Sequence, residues 1–520
     1  MHPSEPLSSA LAPRRSSHRR RRRWPAFATT LAVFLGAAAF PGAAPAQSTT
    51  TTTTDQRIDL PDLGNSAENF LSDGEEREYA RAILMQMRAF EIMVEDPLIA
   101  DFFADMGYRL VAHSDRPTMP FHFVVLDEKR VNAFAAPGGV VALHSGLILA
   151  AEDEHEVAGV LAHEIAHVTQ LHIFRTLQNT QDMTIPIALG MLALVLAGGG
   201  SGEAITGALL GGTAMQQQVF INFTRANEAE ADRLGILTLS QAGYDPKGMA
   251  DFFERINRIN RPAGEAPPEF LRTHPVTTNR IAEAKDRAAS LPVPETGDGL
   301  DFYLAQARLR ALFEDQPEQA IAWFRDELEQ TSSTAQLRAH QYGLAVALQR
   351  EREFDEARQL LERLLASDPY KLAYLLQAAS LDLETGEGDR ARASLADLHH
   401  GFPGNHAIAV QYAEALLSPR DPELAAEAAE VLRGQLRERN DNPRLHELHA
   451  RASALAGDDI TASEALAESY FLSGSVEEAM QQLEMLKDRD DLDYYQRARI
   501  TTRLDEMRII MADFGEATPG

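Results

Sequence analysis

His163-Glu164-Ile165-Ala166-His167 sits inside a stretch, Glu152 to Leu171, whose apolar residues Val157, Val160, Leu161, Ile165 and Val168 recur at helical spacing. On a helix, two histidines four residues apart lie one above the other, so both imidazoles reach a single zinc ion. Glu164, next to the first histidine, is offset enough to reach a water held by that metal without being a ligand, which is the position of a general base. Asp153 and Glu154 fall at the start of the helix, where the dipole favours carboxylates.

A catalytic zinc needs three protein ligands and one open position. The extended motif in which a glycine and a third histidine follow shortly is not met, because Gln170 stands in the glycine position. The third ligand must come from elsewhere, and Glu228 is the best candidate. It opens Glu228-Ala229-Glu230-Ala231-Asp232, where Asp232 lies one turn on, placed to accept a hydrogen bond from the outer nitrogen of a ligand histidine. Ala231 leaves room for the facing motif helix, and Glu230 falls on the other, solvent-facing side. His144, His155 and His172 lie near the motifs but at no ligand spacing, and are given no role. One zinc per chain is expected.

Upstream, the apolar spacing over 75–94 (Ala82, Ile83, Met87, Phe90, Val94) fits an amphipathic helix, and Asp96-Pro97 opens a second running to Ala112. Phe121 to Leu126, Ala133 to Ala136 and Val140 to Leu143 are β-rich runs separated by Asp127-Glu128 and by Pro137-Gly138-Gly139, which predicts a small sheet with a glycine turn. Between the two metal motifs, Ile185 to Ala197 is nearly all apolar and is followed by glycines and by Ala204 to Ala214. At about 13 residues the run is short for a membrane span. A buried hairpin and a membrane-touching element are both open readings of 185–214.

From about residue 300 the texture changes to helical hairpins rich in Ala, Leu, Glu and Arg. Ala357 and Ala391 are 34 residues apart, as are Pro369 and Pro403. That is the tetratricopeptide period, in which a small residue lets paired helices approach and proline ends the second. Gly474 to Ala479 and Asp315 to Ala320 look like further copies, while 405–443, with Pro419 and Pro422, looks irregular.

At the N-terminus, Arg14, Arg15 and Arg19 to Arg23 precede an apolar stretch from Trp24 to Phe40, and Ala44-Pro45-Ala46 supplies small residues for cleavage. This is the layout of a secretory signal cut after about Ala46; a retained anchor and a twin-arginine signal are the alternatives. A Thr-rich linker follows. The expected domains are thus a signal peptide at 1–46, a flexible linker at 47–74, a zinc peptidase domain at 75–295 and a repeat solenoid at 300–510. The formal charge is −28, and −34 once residues 1–46 with their seven Arg and one Glu are removed. Such an acidic chain is a poor partner for nucleic acid, which is bound through clustered Lys and Arg. With no cysteine, neither disulfides nor thiolate ligands are available.

The two metal motifs, together with Asn132-Ala133-Phe134-Ala135-Ala136-Pro137-Gly138-Gly139 before them and Thr273-His274-Pro275 with Arg280 after them, resemble the gluzincin family that contains the HtpX-type and CAAX prenyl endopeptidases. The signal peptide and C-terminal repeats make the chain most similar to that family's periplasmic, β-barrel assembly-enhancing branch. The resemblance implies a mainly α protein: an α+β catalytic domain with a small sheet, then an α-solenoid of tetratricopeptide-like hairpins. It implies a periplasmic zinc endopeptidase acting on misfolded or stalled outer-membrane and envelope proteins, with the outer-membrane β-barrel assembly machinery as a partner of the repeats. His163, His167 and Glu228 would be the ligands, Glu164 the catalytic base and Asp232 the residue behind a ligand histidine. His274 would be a fourth ligand holding the site latent, an oxyanion donor, or a histidine without metal contact. Arg280 would serve the oxyanion or pair with an acidic group. The stretch Ala135 to Leu143 is either a docking edge for extended substrate or plain core sheet. The competing function is an assembly chaperone or adaptor acting through its repeats, with a largely latent protease.

Overall fold

The computed structural model describes residues 72–177, 214–259, 268–295 and 297–515. The signal peptide expected at 1–46, nearly all of the linker at 47–74 and the apolar stretch 185–213 lie outside the described residues.

The catalytic region opens with α1 (Asp73–Ala89), started by a capping box in which Ser72 and Glu75 satisfy each other's backbone N–H groups. It is shorter than the periodicity suggested. After Phe90 the chain extends so that Met93 can bridge to Leu126 at the edge of the sheet. Helix α2 (Pro97–Val111) begins with Pro97 in its first turn behind the cap Asp96. Strands β1 (His122–Leu126), β2 (Ala133–Ala136) and β3 (Val140–His144) then form one sheet in the order β1-β3-β2, with β1 parallel and β2 antiparallel to β3. The β2–β3 turn needs its glycines. Gly138 and Gly139 have φ of 78° and 75°, and a Cβ on Gly139 would collide with the Pro120 carbonyl oxygen.

This order resolves the expectation for Ala135 to Leu143. Strand β3 is central, hydrogen-bonded on both sides and buried throughout, so Val140 to Leu143 cannot receive another strand. Strand β2 has β3 on one side and, among the described residues, no strand on the other.

After α3 (Ser145–Ala150) comes the motif helix α4 (Glu154–Thr169), capped by Asp153, whose carboxylate accepts from the N–H groups of His155 and Glu156. It is buried almost all round because α2, β2, α6 (Ala214–Gln241) and α7 (Gly248–Ile259) pack about it. Gly159 permits the last approach: a Cβ there would lie 2.6 Å from the Met249 nitrogen. A short α5 (His172–Leu177) follows α4, and α8 (Glu269–Thr273) and α9 (Thr278–Ala289) close the catalytic region.

The remainder is helical hairpins: α10 (Leu300–Phe313) with α11 (Pro317–Gln330), α12 (Thr334–Arg350) with α13 (Phe354–Ser367), α14 (Leu372–Glu384) with α15 (Gly388–Gly401), α16 (His406–Leu417) with α17 (Pro422–Leu436), α18 (Pro443–Leu455) with α19 (Asp459–Leu472), then α20 (Val476–Lys487) and α21 (Tyr494–Gly515). Ala320, Ala357, Ala391 and Ala425 each occupy the fourth position of a second helix, Ala479 holds the same position in α20, and each is buried to 1% exposure or less. Ala425 stands 34 residues after Ala391, so the block that looked irregular keeps the period. Pro422 is in the first turn of α17, where it ends nothing and a missing N–H costs nothing.

Helix α10 belongs to two cores at once. Phe302, Ala305 and Leu309 join the apolar cluster around α2 and α4, while Leu300, Leu304, Ala307 and Ala311 join that of the first repeats. Further along, the hairpins return to the catalytic region. Arg308 is bidentate to Asp96 at 2.7 and 2.9 Å, His406 meets Asp101 at 3.1 Å, and Arg88 donates to the Leu472 carbonyl at 3.2 Å. Among the described residues no helix is long and apolar enough to cross a membrane.

Candidate active site

Helix α4 presents His163 and His167 with their Nε2 atoms 3.0 Å apart. Helix α6 crosses α4 with Ala231 fully buried between them, the small residue that the motif led one to expect. That crossing brings Glu228 to both histidines, Oε2 at 3.4 Å from His163 Nε2 and Oε1 at 3.4 Å from His167 Nε2. One turn along α6, Asp232 Oδ1 faces the outer nitrogen of His163, Nδ1, at 3.1 Å.

His274, the C-cap of α8, reaches the same point. Its Nδ1 is 3.3 Å from His163 Nε2 and 3.0 Å from Glu228 Oε1, and its Nε2 is 3.4 Å from Glu164 Oε1. Ligand atoms of His163, His167, Glu228 and His274 therefore all lie within 4.8 Å of one another. The Glu164 side chain is 1% exposed, and its Oε1 has no hydrogen-bond partner.

This donor set suits a tetrahedral metal. Ligands held at about 2.0–2.1 Å from a tetrahedral zinc stand about 3.4 Å from one another. The separations of 3.0 to 3.4 Å among His163, His167 and Glu228 match that spacing. The electrostatics agree. Burial opposes charge on His163, but Asp232 and Glu228 outweigh it and push the imidazole up to about 10. Burial likewise opposes charge on Glu228, and His274, His163 and His167 overcome it, holding the carboxyl well below the usual range. Carboxylates that draw a proton onto a buried imidazole draw any cation to the same point.

Arg280, on α9, donates Nη2 to Asp232 Oδ1 at 2.7 Å and Nε to Asp232 Oδ2 at 2.8 Å, lies 2.8 Å from Glu228 Oε2 through Nη1, and also donates to the Pro275 carbonyl. Of the two roles open to it, the geometry is that of the ion pair. Asp232 is held below its ordinary range despite burial, by His163 and Arg280.

Every residue singled out from the motifs thus meets in one place. Two that were set aside also arrive. His172 Nδ1 lies 3.0 Å from His167 Nδ1, and His172 Nε2 lies 3.2 Å from Glu230 Oε2. Helical spacing passes over both, because His172 is five residues from His167 and Glu230 faces away from Glu228. A helix end lies between the two histidines, so helical spacing does not describe their contact. His144 and His155 stand apart from the cluster.

Residues 103–288 match the model of Peptidase family M48. Over 455 residues, covering 88% of this chain and 92% of the relative, the chain is 34% identical to the β-barrel assembly-enhancing protease of Escherichia coli K12. It is 32% identical over 456 residues, 87% and 93% of the two chains, to a putative protease of the same name from Vibrio cholerae. A more distant likeness, 29% over 178 residues, 34% of this chain and 50% of the other, is to the mitochondrial metalloendopeptidase OMA1 of Schizosaccharomyces pombe. With a near-full-length match outside the chain and a metal-fitting cluster within it, the chain belongs to the β-barrel assembly-enhancing protease family, within peptidase family M48, and is a metalloendopeptidase.

Proposed function

We propose that the chain is a zinc endopeptidase of the bacterial periplasm that hydrolyses peptide bonds in misfolded or stalled outer-membrane and envelope proteins. The observation that carries the reading is the convergence of His163, His167 and Glu228 at tetrahedral spacing beside a buried Glu164. One zinc per chain fits that donor set, held by the three side chains, and when bound it supplies the Lewis acidity that brings a water's pKa toward neutrality. Glu164 takes the proton from the attacking water and returns it to the leaving amine; its burial beside the ligand cluster suits an exchange of one proton in both directions. Asp232 fixes His163 from behind, and Arg280 fixes Asp232. An extended substrate pairs along the side of β2 that carries no strand among the described residues, which lies beside α4, through main-chain groups alone.

For the organisation of the chain, we take 1–46 as a cleaved signal, 47–74 as linker, 75–295 as the peptidase and 300–510 as the solenoid, with α10 serving both of the latter. The solenoid recruits unfolded envelope proteins and the assembly machinery. The names of the E. coli and V. cholerae relatives, which refer to β-barrel assembly, support that reading.

A second reading is favoured by His274. With Nδ1 3.0 Å from Glu228 and 3.3 Å from His163, it would fill the position that a substrate carbonyl or water needs, so the resting enzyme would be latent and the repeats would act mainly as an adaptor. Zinc content per chain of the purified mature protein, with casein cleavage by wild type and Glu164→Gln, separates these. One zinc with cleavage lost in the variant supports the peptidase. One zinc with no wild-type cleavage supports the latent adaptor, and no zinc in metal-replete protein sinks the zinc peptidase.

A further inference from the structure

His163 and His167 are held from behind in different ways. Behind His163 stands a carboxylate, Asp232, at 3.1 Å. Behind His167 stands another imidazole, His172, with the Nδ1 atoms 3.0 Å apart and the rings at 78° to one another. Of two facing ring nitrogens at that distance, one must donate and the other accept. The direction follows from the far side of His167. Its Nε2 is turned into the cluster of His163 and Glu228 and must keep a lone pair there to serve as a ligand. The His167 proton therefore sits on Nδ1 and is donated to His172 Nδ1. That leaves the His172 proton on Nε2, which faces Glu230 Oε2 at 3.2 Å. The Glu230 carboxylate is itself steadied by Arg175 Nη1 at 3.2 Å. Each link fixes the next, and the chain of donors ends on a carboxylate, as a well-ordered buried imidazole requires.

The backbone between the two histidines shows what holds this arrangement. Leu171 adopts φ of 54°, a left-handed conformation that a leucine takes up only when the surrounding structure imposes it. The turn ends α4 two residues after His167 and starts α5 with His172 folded back under the His167 ring. His172 is buried, at 2% exposure.

We infer that His172, backed by Glu230 and Arg175, is a positioning residue for the metal site: a carboxylate–imidazole–imidazole relay that sets the tautomer and tilt of His167, as Asp232 does directly for His163. The inference rests on the proposed ligand roles of His163 and His167. The relay accounts for two residues, His172 and Glu230, that the hydrolytic chemistry does not use.

The test is zinc affinity by competition with a chromophoric chelator, on full-length protein, with nitrogen-15 imidazole spectra of the zinc-loaded wild type. His172→Leu removes the acceptor and should weaken zinc binding by about 10- to 100-fold, the range expected when the partner of a ligand histidine is lost. His172→Gln can accept from His167 and donate to Glu230, and should stay within about threefold of wild type. Glu230→Ala should fall between the two. Equal affinities for His172→Leu and wild type, or equal losses for His172→Leu and His172→Gln, would overturn the relay. Should His172→Leu fail to fold, the wild-type spectrum decides: protons on His167 Nδ1 and His172 Nε2 support it, and a proton on His172 Nδ1 refutes it. Failure of wild type itself to bind zinc would strike the metal reading instead, so the two are distinguishable.

Discussion

Arg280 grips Asp232 with two hydrogen bonds, of 2.7 and 2.8 Å, and the Asp232 oxygen taking the shorter one is also the oxygen that faces His163 Nδ1. Three elements, α4, α6 and α9, are thereby tied through one carboxylate. Arg280→Ala strands Asp232 in a buried place with half its compensation gone. Losing one partner of a buried pair costs roughly 3–5 kcal/mol. The variant is expected to melt earlier and to bind zinc at least tenfold more weakly; an unchanged zinc affinity would make Arg280 a mere surface tether.

Glu164→Gln keeps the size of the side chain and removes its basicity. Casein cleavage should fall by about 10²- to 10⁴-fold. Zinc stoichiometry should not move, because Glu164 is not one of the side chains that converge as ligands, and the amide, being of the same size, should leave the melting temperature close to that of wild type.

His274 lies within reach of both Glu228 and Glu164. If it fills the open vertex, His274→Ala frees that vertex, and basal casein cleavage should rise severalfold. A fall in cleavage with intact zinc content would instead assign His274 to the substrate carbonyl.

In the solenoid, Ala391 is fully buried where α15 meets its neighbours. Overfilling a packed core typically costs about 1–3 kcal/mol. Ala391→Leu should lower the melting temperature of the protein while its zinc affinity holds, since the site lies on other helices. A loss of zinc would show that repeats and site unfold as one cooperative unit.

His449, on α18, is kept neutral by burial, with Arg433 nearby, which brings it down to about 4 from an ordinary 6.5. The native state then binds fewer protons than the unfolded chain between those values. Its contribution is complete above pH 6.5 and is lost as pH falls toward 4. Denaturant titrations of wild type and His449→Gln should give a constant stability difference above pH 6.5. Below it, wild type should lose stability faster than the variant; parallel curves down to pH 4 would refute the shift.

The sequence by itself determined whatever depends on local period. The pair His163 and His167 could be read as co-facial because four residues are about one helical turn, and Glu228 with Asp232 for the same reason. The 34-residue return of Ala357 at Ala391 announced the hairpins, and it extended through Ala425 even where Pro419 and Pro422 seemed to interrupt it. The three strands were legible from β-rich runs and the glycine turn, but their order was not. Only the fold made β3 central and β2 an edge among the described residues, because pairing is settled by which strand can be covered on both sides. Only the fold brought His274 and Arg280, each more than 40 residues beyond Glu228, onto that carboxylate, and chose for Arg280 the ion pair with Asp232. It was tertiary structure, too, that turned the chain at Leu171 and laid His172 under His167. Helical spacing ends where a helix ends, and what meets beyond that point is decided by the packing of α4 against α6 and α7.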